Sequence, residues 1–323
     1  TASNLIMGNF AGVSEWYSGS LDEVRISNIA RTPEEIKLSA SRRPYGVYTS
    51  DAIEMGTGVT GFNSIAWSEL GVATGDGETL KDATGLVAQW NFNDTSGTTL
   101  TNNAGSCGAS CNGTLTNFAS TGSQDAAPLT GWTSANKRWG AGALMFDGAD
   151  DYISVANQSS LNPTTISLET WFKTKSFASI QNIIDKRNAA NTTVNYLMQV
   201  QTTGLVRFFA TGIFDVYSTQ ALPLNEWVHL VMTYDGTTAK IYINGNLSNS
   251  VNYTGTLPVT ADNPLLVCRH SVQATGLYCN GILDSTRIYS RDLTAAEILS
   301  NYNATKLDIQ TRTGATTDPN DGS

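Results

Sequence analysis

The chain has 323 residues, 29 of them glycine, only 15% of them charged, with a formal net charge of −9. That balance disfavours nucleic acid, whose phosphates require a Lys/Arg patch. No run of about 18 apolar residues offers a membrane-spanning helix within this segment. Abundant Thr, Ser, Asn and Gly and four cysteines suit a turn-rich β-protein of an oxidising, extracellular or cell-surface environment.

In chain order, the first feature is a repeat. Thr1 and Asn4 recur as Thr260 and Asn263, an offset of 259. Asp22, Arg25, Ile26, Thr32, Glu35 and Ile36 recur as Asp284, Arg287, Ile288, Thr294, Glu297 and Ile298, an offset of 262. Spacing on this scale makes the repeated unit a whole domain. The first copy has no front, so residues 1–43 read as the C-terminal part of a preceding copy and the chain as a piece of a longer tandem protein. An edge left open in this way invites completion by a neighbouring repeat or subunit.

Residues 44–80 contain two strand-like runs, VYTSDAIEMG and FNSIAWSEL, around a Gly-rich turn. An alternating run, KLDIQTRT, follows at 306–313. Three strands make a minimal sheet. Segments 44–80 and 304–323 therefore read as two parts of one small β module, with 81–303 inserted between them. The alternative is a linker followed by the start of another module.

From Gly85 onward, short apolar runs alternate with turn signals: GLVAQWNFNDTSG, ALMFDGADDYISV around Gly148, TISLETWFKTK, NYLMQVQ, LVRFFATG, WVHLVMTYDG, AKIYINGNL and PLLVCR. Asp235-Gly236 and Asn244-Gly245 are hairpin turns. This many short strands predict an all-β sandwich or jelly roll. One helix is predicted, begun by a capping box at Thr294 and Glu297; Thr32 and Glu35 repeat it, with Pro33 at the first helical position.

Four cysteines allow three connectivities. The spacings favour Cys107–Cys111 and Cys268–Cys279, the second bridging a hairpin. Zinc is the weaker alternative, because neither spacing is C-x2-C and the chain has two histidines.

The series WNFNDTSGTTL, MFDGADDYISV, ISLETWF, EWVHLVMTYDGTTAKIYINGN and GILDSTRIYSRDLTAAEI, in that order, resembles the laminin-G-like branch of the concanavalin A-like jelly rolls, as found in large multi-repeat bacterial surface proteins. The resemblance covers about Leu86 to Tyr302. It implies a two-sheet antiparallel sandwich that serves in extracellular binding or as a building block of surface proteins.

Related jelly rolls include glycoside hydrolases, which need two carboxylates at a fixed separation. No alternating acidic string occurs here. Glu169 stands alone in its strand, and the adjacent Asp22 and Glu23 would point to opposite faces of one. His229 reads as a structural residue within a strand and His270 as an exposed residue near the second cysteine pair, so no catalytic residue is assigned. Calcium, which takes six to eight oxygens, is the better chemical reading. Asp147, Asp150 and Asp151 surround the FDGADDY turn, Asn93 and Asp94 follow the first strand, and Asp284 opens a late one. The resemblance carries over only Asp150 and Asp151. The competing reading is that these residues simply build turns. Sugar binding would call for exposed aromatics, with Trp132, Phe208, Phe209, Phe214 and Tyr217 as candidates, although RFFATGIFDVY also suits a strand with alternate rings in the core. Seven N-x-S/T sequons are present, at Asn93, Asn112, Asn157, Asn191, Asn246, Asn252 and Asn303.

Two expectations follow. One is a non-catalytic structural or adhesive module of a tandem cell-surface or filament protein, with neighbouring repeats or subunits as partners. The other is a calcium-assisted carbohydrate-binding module that recognises glycans and belongs to a chain with a glycan-active enzyme.

Overall fold

The computed structural model describes residues 76–126, 130–260, 262–270 and 277–304. The partial repeat over 1–43, the strand readings over 45–75 and the run at 306–313 lie outside the described residues.

Two eight-stranded antiparallel sheets face each other. The first has the order β14 (Asn246–Asn252), β13 (Thr238–Ile243), β12 (Val228–Tyr234), β7 (Ile166–Thr174), β16 (Asn280–Tyr289), β5 (Ala143–Asp147) and β4 (Gly131–Thr133). β1 (Leu86–Trp90) pairs with the second half of β16, beyond the end of β5. The second sheet runs β11 (Phe214–Tyr217), β10 (Val206–Ala210), β9 (Val194–Val200), β8 (Gln181–Arg187), β15 (Leu265–Val267), β6 (Tyr152–Val155), β3 (Gly113–Thr116) and β2 (Thr99–Leu100). The fold is a concanavalin A-like jelly-roll sandwich.

The core lies between the sheets. Alternate residues of each strand point inward: Ile166, Leu168 and Phe172 from β7, Leu230 and Met232 from β12, Tyr196, Met198 and Val200 from β9, Val206 and Phe208 from β10. Each fully buried side chain of this size contributes about 1.5–3 kcal/mol. Polar tips at the margins are satisfied: Trp90 Nε1 donates to the Cys111 carbonyl and the Tyr196 hydroxyl to that of Leu161. At the β13–β14 hairpin, Asn244 and Gly245 have φ of 52° and 78°, the left-handed pair that a two-residue turn of this hand requires.

The alternation in β7 predicts one buried and one solvated face. Instead, nearly the whole strand is buried. Residues 76–84, the Arg138–Gly142 loop and the helix α1 (Ala295–Tyr302) lie over the outer face of the first sheet. Arg287 donates to the Gly77 carbonyl, Leu80 and Ile298 pack against Val231 and Tyr289, and Tyr302 stacks on Trp171.

The capping box at the start of α1 is formed. Thr294 Oγ1 accepts from the Glu297 amide, and the Glu297 carboxylate accepts from that of Thr294. Thr294→Ala is expected to destabilise the domain by about 1 kcal/mol, read from the midpoint of urea unfolding.

The disulfides are Cys107–Cys111 and Cys268–Cys279. The second does not close a hairpin. Cys268 follows β15 in the second sheet and Cys279 precedes β16 in the first, so the bridge closes a loop that passes between the sheets.

Candidate functional site

Residues opposite one another on paired strands share a face, so the registers define the outer face of the second sheet. One row crosses it as Tyr217, Arg207, Gln199 and Asn182; the next as Asp215, Phe209, Leu197, Asp185, Leu266 and Ser154. The middle of this face is polar and buried. Asn182 Oδ1 accepts from Gln199 Nε2 at 2.6 Å, and Asn182 Nδ2 donates to Asp185 Oδ2 at 2.8 Å. Asp185 Oδ1 accepts from Arg187 Nε at 2.7 Å. Arg187 Nη1 donates to Asn191 Oδ1 and to His270 Nε2 at 2.6 and 2.7 Å.

His270 is therefore not exposed as its sequence position suggests. The loop closed by Cys268–Cys279 is attached to β8 at both ends, since the Cys268 amide donates to the Ile183 carbonyl and the Asn182 amide to that of Leu277. That attachment carries the imidazole onto Arg187. Burial, and then the charges of Arg187 and Arg269, lower its pKa. A neutral ring suits the hydrogen bond it accepts.

The margins of the face are open. On one side Arg207 stands 4.3 Å from the ring centre of Phe209 and 5.6 Å from that of Tyr217, and is paired with Asp215. Phe209 is half-buried and Tyr217 is 37% exposed. On the other side Arg269 lies 4.3 Å from the ring of the half-buried Tyr152. Of the five aromatics singled out in the sequence, Phe208, Phe214 and Trp132 are in the core, and Phe209 and Tyr217 are on this surface.

The FDGADDY turn connects β5 of the first sheet to β6 of the second. Gly148 has φ of 84°, and a Cβ there would meet the Asn280 side chain at 2.8 Å, which explains the glycine. Carboxylate oxygens of Asp147, Asp150 and Asp151 all lie within 4.8 Å of one another. Asp151 is buried: its Oδ2 accepts from the Asp147 amide, while Oδ1 has no partner. Burial, and then the negative charges of Asp147 and Asp150, push its carboxyl up to about 7. A buried oxygen without a donor beside two further carboxylates is a donor set that fits a hard cation.

The other oxygens considered for a metal are elsewhere. Asn93 Oδ1 accepts from the amides of Ala141 and Gly142, and its Nδ2 donates to Glu78. Asp94 accepts from the amide and hydroxyl of Thr101. Asp284 Oδ2 accepts from the amides of Arg138 and Trp139 on the outer face of the first sheet, where burial pushes its carboxyl up to about 7.

That outer face carries a second polar network. Glu169 is fully buried. Its Oε1 accepts from His229 Nε2 at 2.8 Å and Arg287 Nη1 at 3.1 Å, and its Oε2 from the Tyr289 hydroxyl and Asn301 Nδ2 at 3.2 Å each. Burial alone would raise its pKa, but Arg287 and the hydrogen bonds hold it down at about 2. Asp284 and Arg287 stand three apart, so strict alternation would send them to opposite faces. A register shift between them, with Ser285 at φ 46°, turns both outward. Glu169 is closed to any substrate and acts as an internal counter-ion.

Residues 147–299 match the family model described as the concanavalin A-like lectin/glucanases superfamily (Laminin_G_3). No curated protein matches the chain in sequence. Among solved structures, the sialidase of Trypanosoma rangeli is similar with a TM-score of 0.51 at 11% identity, over 70% of this chain and 34% of that one. The likeness thus spans about a third of the sialidase. Domain 4 of AbnA, an extracellular GH43 arabinanase from Geobacillus stearothermophilus solved with arabinotriose, is similar with a TM-score of 0.49 at 18% identity, over 66% of this chain and 96% of that domain. The described sandwich thus has the concanavalin A-like fold, with residues 147–299 matching the superfamily model.

Proposed function

We propose that this concanavalin A-like domain is a non-catalytic carbohydrate-binding module that uses the outer face of its second sheet. The observation that carries the reading is the rigid polar network of Asn182, Asp185, Arg187, Gln199 and His270, bordered by half-exposed rings and guanidinium groups. Sugar recognition needs apolar ring faces beside fixed hydrogen-bonding groups. Here the buried network fixes the strands and the loop, and the margins supply the contacts. The superfamily to which residues 147–299 match is described by lectins and glucanases, which supports the reading.

A calcium ion at Asp147, Asp150 and Asp151 would steady this face. Asp151 is followed directly by Tyr152, whose ring meets Arg269 at the base of the disulfide loop. Bound there, calcium would brace the turn that leads into Tyr152.

Glycan microarray binding followed by calorimetry tests the proposal. Phe209→Ala with Tyr217→Ala is expected to weaken binding by about 10- to 100-fold, the worth of one or two ring contacts. An unchanged affinity in the double variant would remove this face from consideration.

A second feature supports a modular setting. Trp139 packs with Ala304, and a Cβ on Gly77 would collide with the same indole. The chain therefore enters and leaves the sandwich at one place. This favours the reading in which 81–303 is an insertion within a small β module made from 44–80 and 304–323. The repeat over 1–43 favours a tandem extracellular protein with neighbouring repeats as partners. Two disulfides suit that oxidising environment.

A further inference from the structure

We propose that the Arg269 end of this face selects sugars bearing a carboxylate. The inference rests on the carbohydrate-binding reading and gives it a substrate class.

Arg269 differs from its neighbours. Arg187 is paired with Asp185, and Arg207 with Asp215. Arg269 has no carboxylate within ion-pair distance among the described residues. Its Nε is buried without a hydrogen-bond partner. What holds it is aromatic: the guanidinium carbon lies 4.3 Å from the ring centre of Tyr152 and 6.0 Å from that of Tyr278. Guanidinium is weakly hydrated and stacks readily, and stacking occupies its face while leaving the N–H groups at its edge free to donate. The residue is half-exposed while its Nε is buried, so the donors offered to a ligand are those of the two Nη groups.

The surroundings favour an anion. Arg187 and Arg269 both act on His270 electrostatically, as does Asp185. Asp185 is already bonded to Arg187 and Asn182. Arg187 is thereby neutralised, and Arg269 is left as the cation of this end without a carboxylate at ion-pair distance among the described residues; the three carboxylates of the FDGADDY turn, next to Tyr152 in the chain, are the place of the calcium ion proposed above. A carboxylate fits the fork of a guanidinium in a planar, bidentate fashion. The half-exposed Tyr152 then offers ring surface beside that carboxylate, while the buried Tyr278 backs the guanidinium from within.

The test is calorimetry on the full chain in calcium-containing buffer, with matched pairs of ligands. One pair is a galacturonate trisaccharide and its carboxyl-reduced galactose counterpart; the other is sialyllactose and lactose. Sulfated lactose distinguishes carboxylate recognition from attraction to any anion. The acidic member of at least one pair is expected to bind about tenfold or more tightly than its neutral partner and than the sulfated sugar, the worth of a charge-assisted hydrogen bond. Arg269→Gln should abolish that preference, and Arg269→Lys should restore only part of it. Neutral-sugar affinity can fall in both variants by the loss of one margin contact, so the readout is the ratio of acidic-sugar to neutral-sugar affinity, taken on protein shown to be folded by its thermal unfolding transition. Equal affinity within both pairs, a preference for the sulfated sugar, or a preference surviving in Arg269→Gln overturns the inference while leaving the carbohydrate-binding reading in place. If neither these sugars nor any glycan on an array binds, the underlying reading falls as well.

Discussion

Replacing Arg287 with alanine is expected to destabilise the domain by about 3–5 kcal/mol, the usual consequence of removing one partner of a buried ion pair. The expected size follows from what the guanidinium holds. Arg287 donates to the fully buried Glu169 and to the carbonyl of Gly77, so it ties β7 to the segment that enters the sandwich. Without it, Glu169 keeps its contacts to His229, Tyr289 and Asn301 but loses its counter-charge. The measurement is urea unfolding, with a lower midpoint and an unchanged slope. Glu169→Gln added to Arg287→Ala should recover part of the loss, because the charge left unpaired by the arginine change is removed by the glutamate one. A single variant within 1 kcal/mol of wild type would show that the guanidinium does not anchor this face.

This network shows where sequence reading succeeds and where it stops. Local signals were enough for elements whose causes are local. The Thr294–Glu297 box starts a helix and Asn244-Gly245 turns a hairpin, each through contacts within a few residues. The order of five motifs was enough for the sandwich. Side-chain environment was less legible, because it depends on partners far along the chain. Arg187 and His270 are 83 residues apart and Glu169 and Arg287 118. The burial of His270 requires knowing that the disulfide loop attaches to β8. The outward turn of both Asp284 and Arg287 requires a bulge that strict alternation does not predict. A signal for that pair was present: the partial repeat keeps the same two residue types at the same spacing, as Asp22 and Arg25. The polar face of the second sheet left a weaker trace. QNIIDKR and NYLMQVQ place amides and charges inside strands, residue types that are depleted in such elements.

Calcium should stabilise the domain at pH 8 and have little effect at pH 5. The reason lies in Asp151, whose carboxyl is pushed up to about 7 from an ordinary value of 3.8 by burial and by Asp147 and Asp150. In the metal-free domain the folded state keeps a proton on Asp151 that the unfolded chain gives up near pH 4. Stability from this residue is therefore full below about pH 4 and is lost as pH rises through the window to about 7. A cation replaces that proton and relieves the repulsion among the three carboxylates, so its affinity rises across the same window. At 100 times its dissociation constant it would add about 2.7 kcal/mol. Differential scanning calorimetry with and without calcium at the two pH values gives the shift directly. Asp151→Asn should abolish it and should stabilise the metal-free domain at pH 8, because no charge is then buried. Asp284→Asn is the necessary control, since Asp284 is also pushed up to about 7 but lies on the outer face of the other sheet. It should weaken the pH dependence of the metal-free domain while leaving the calcium shift intact. A calcium shift that persists in Asp151→Asn, or that vanishes in Asp284→Asn, would move the cation away from the FDGADDY turn.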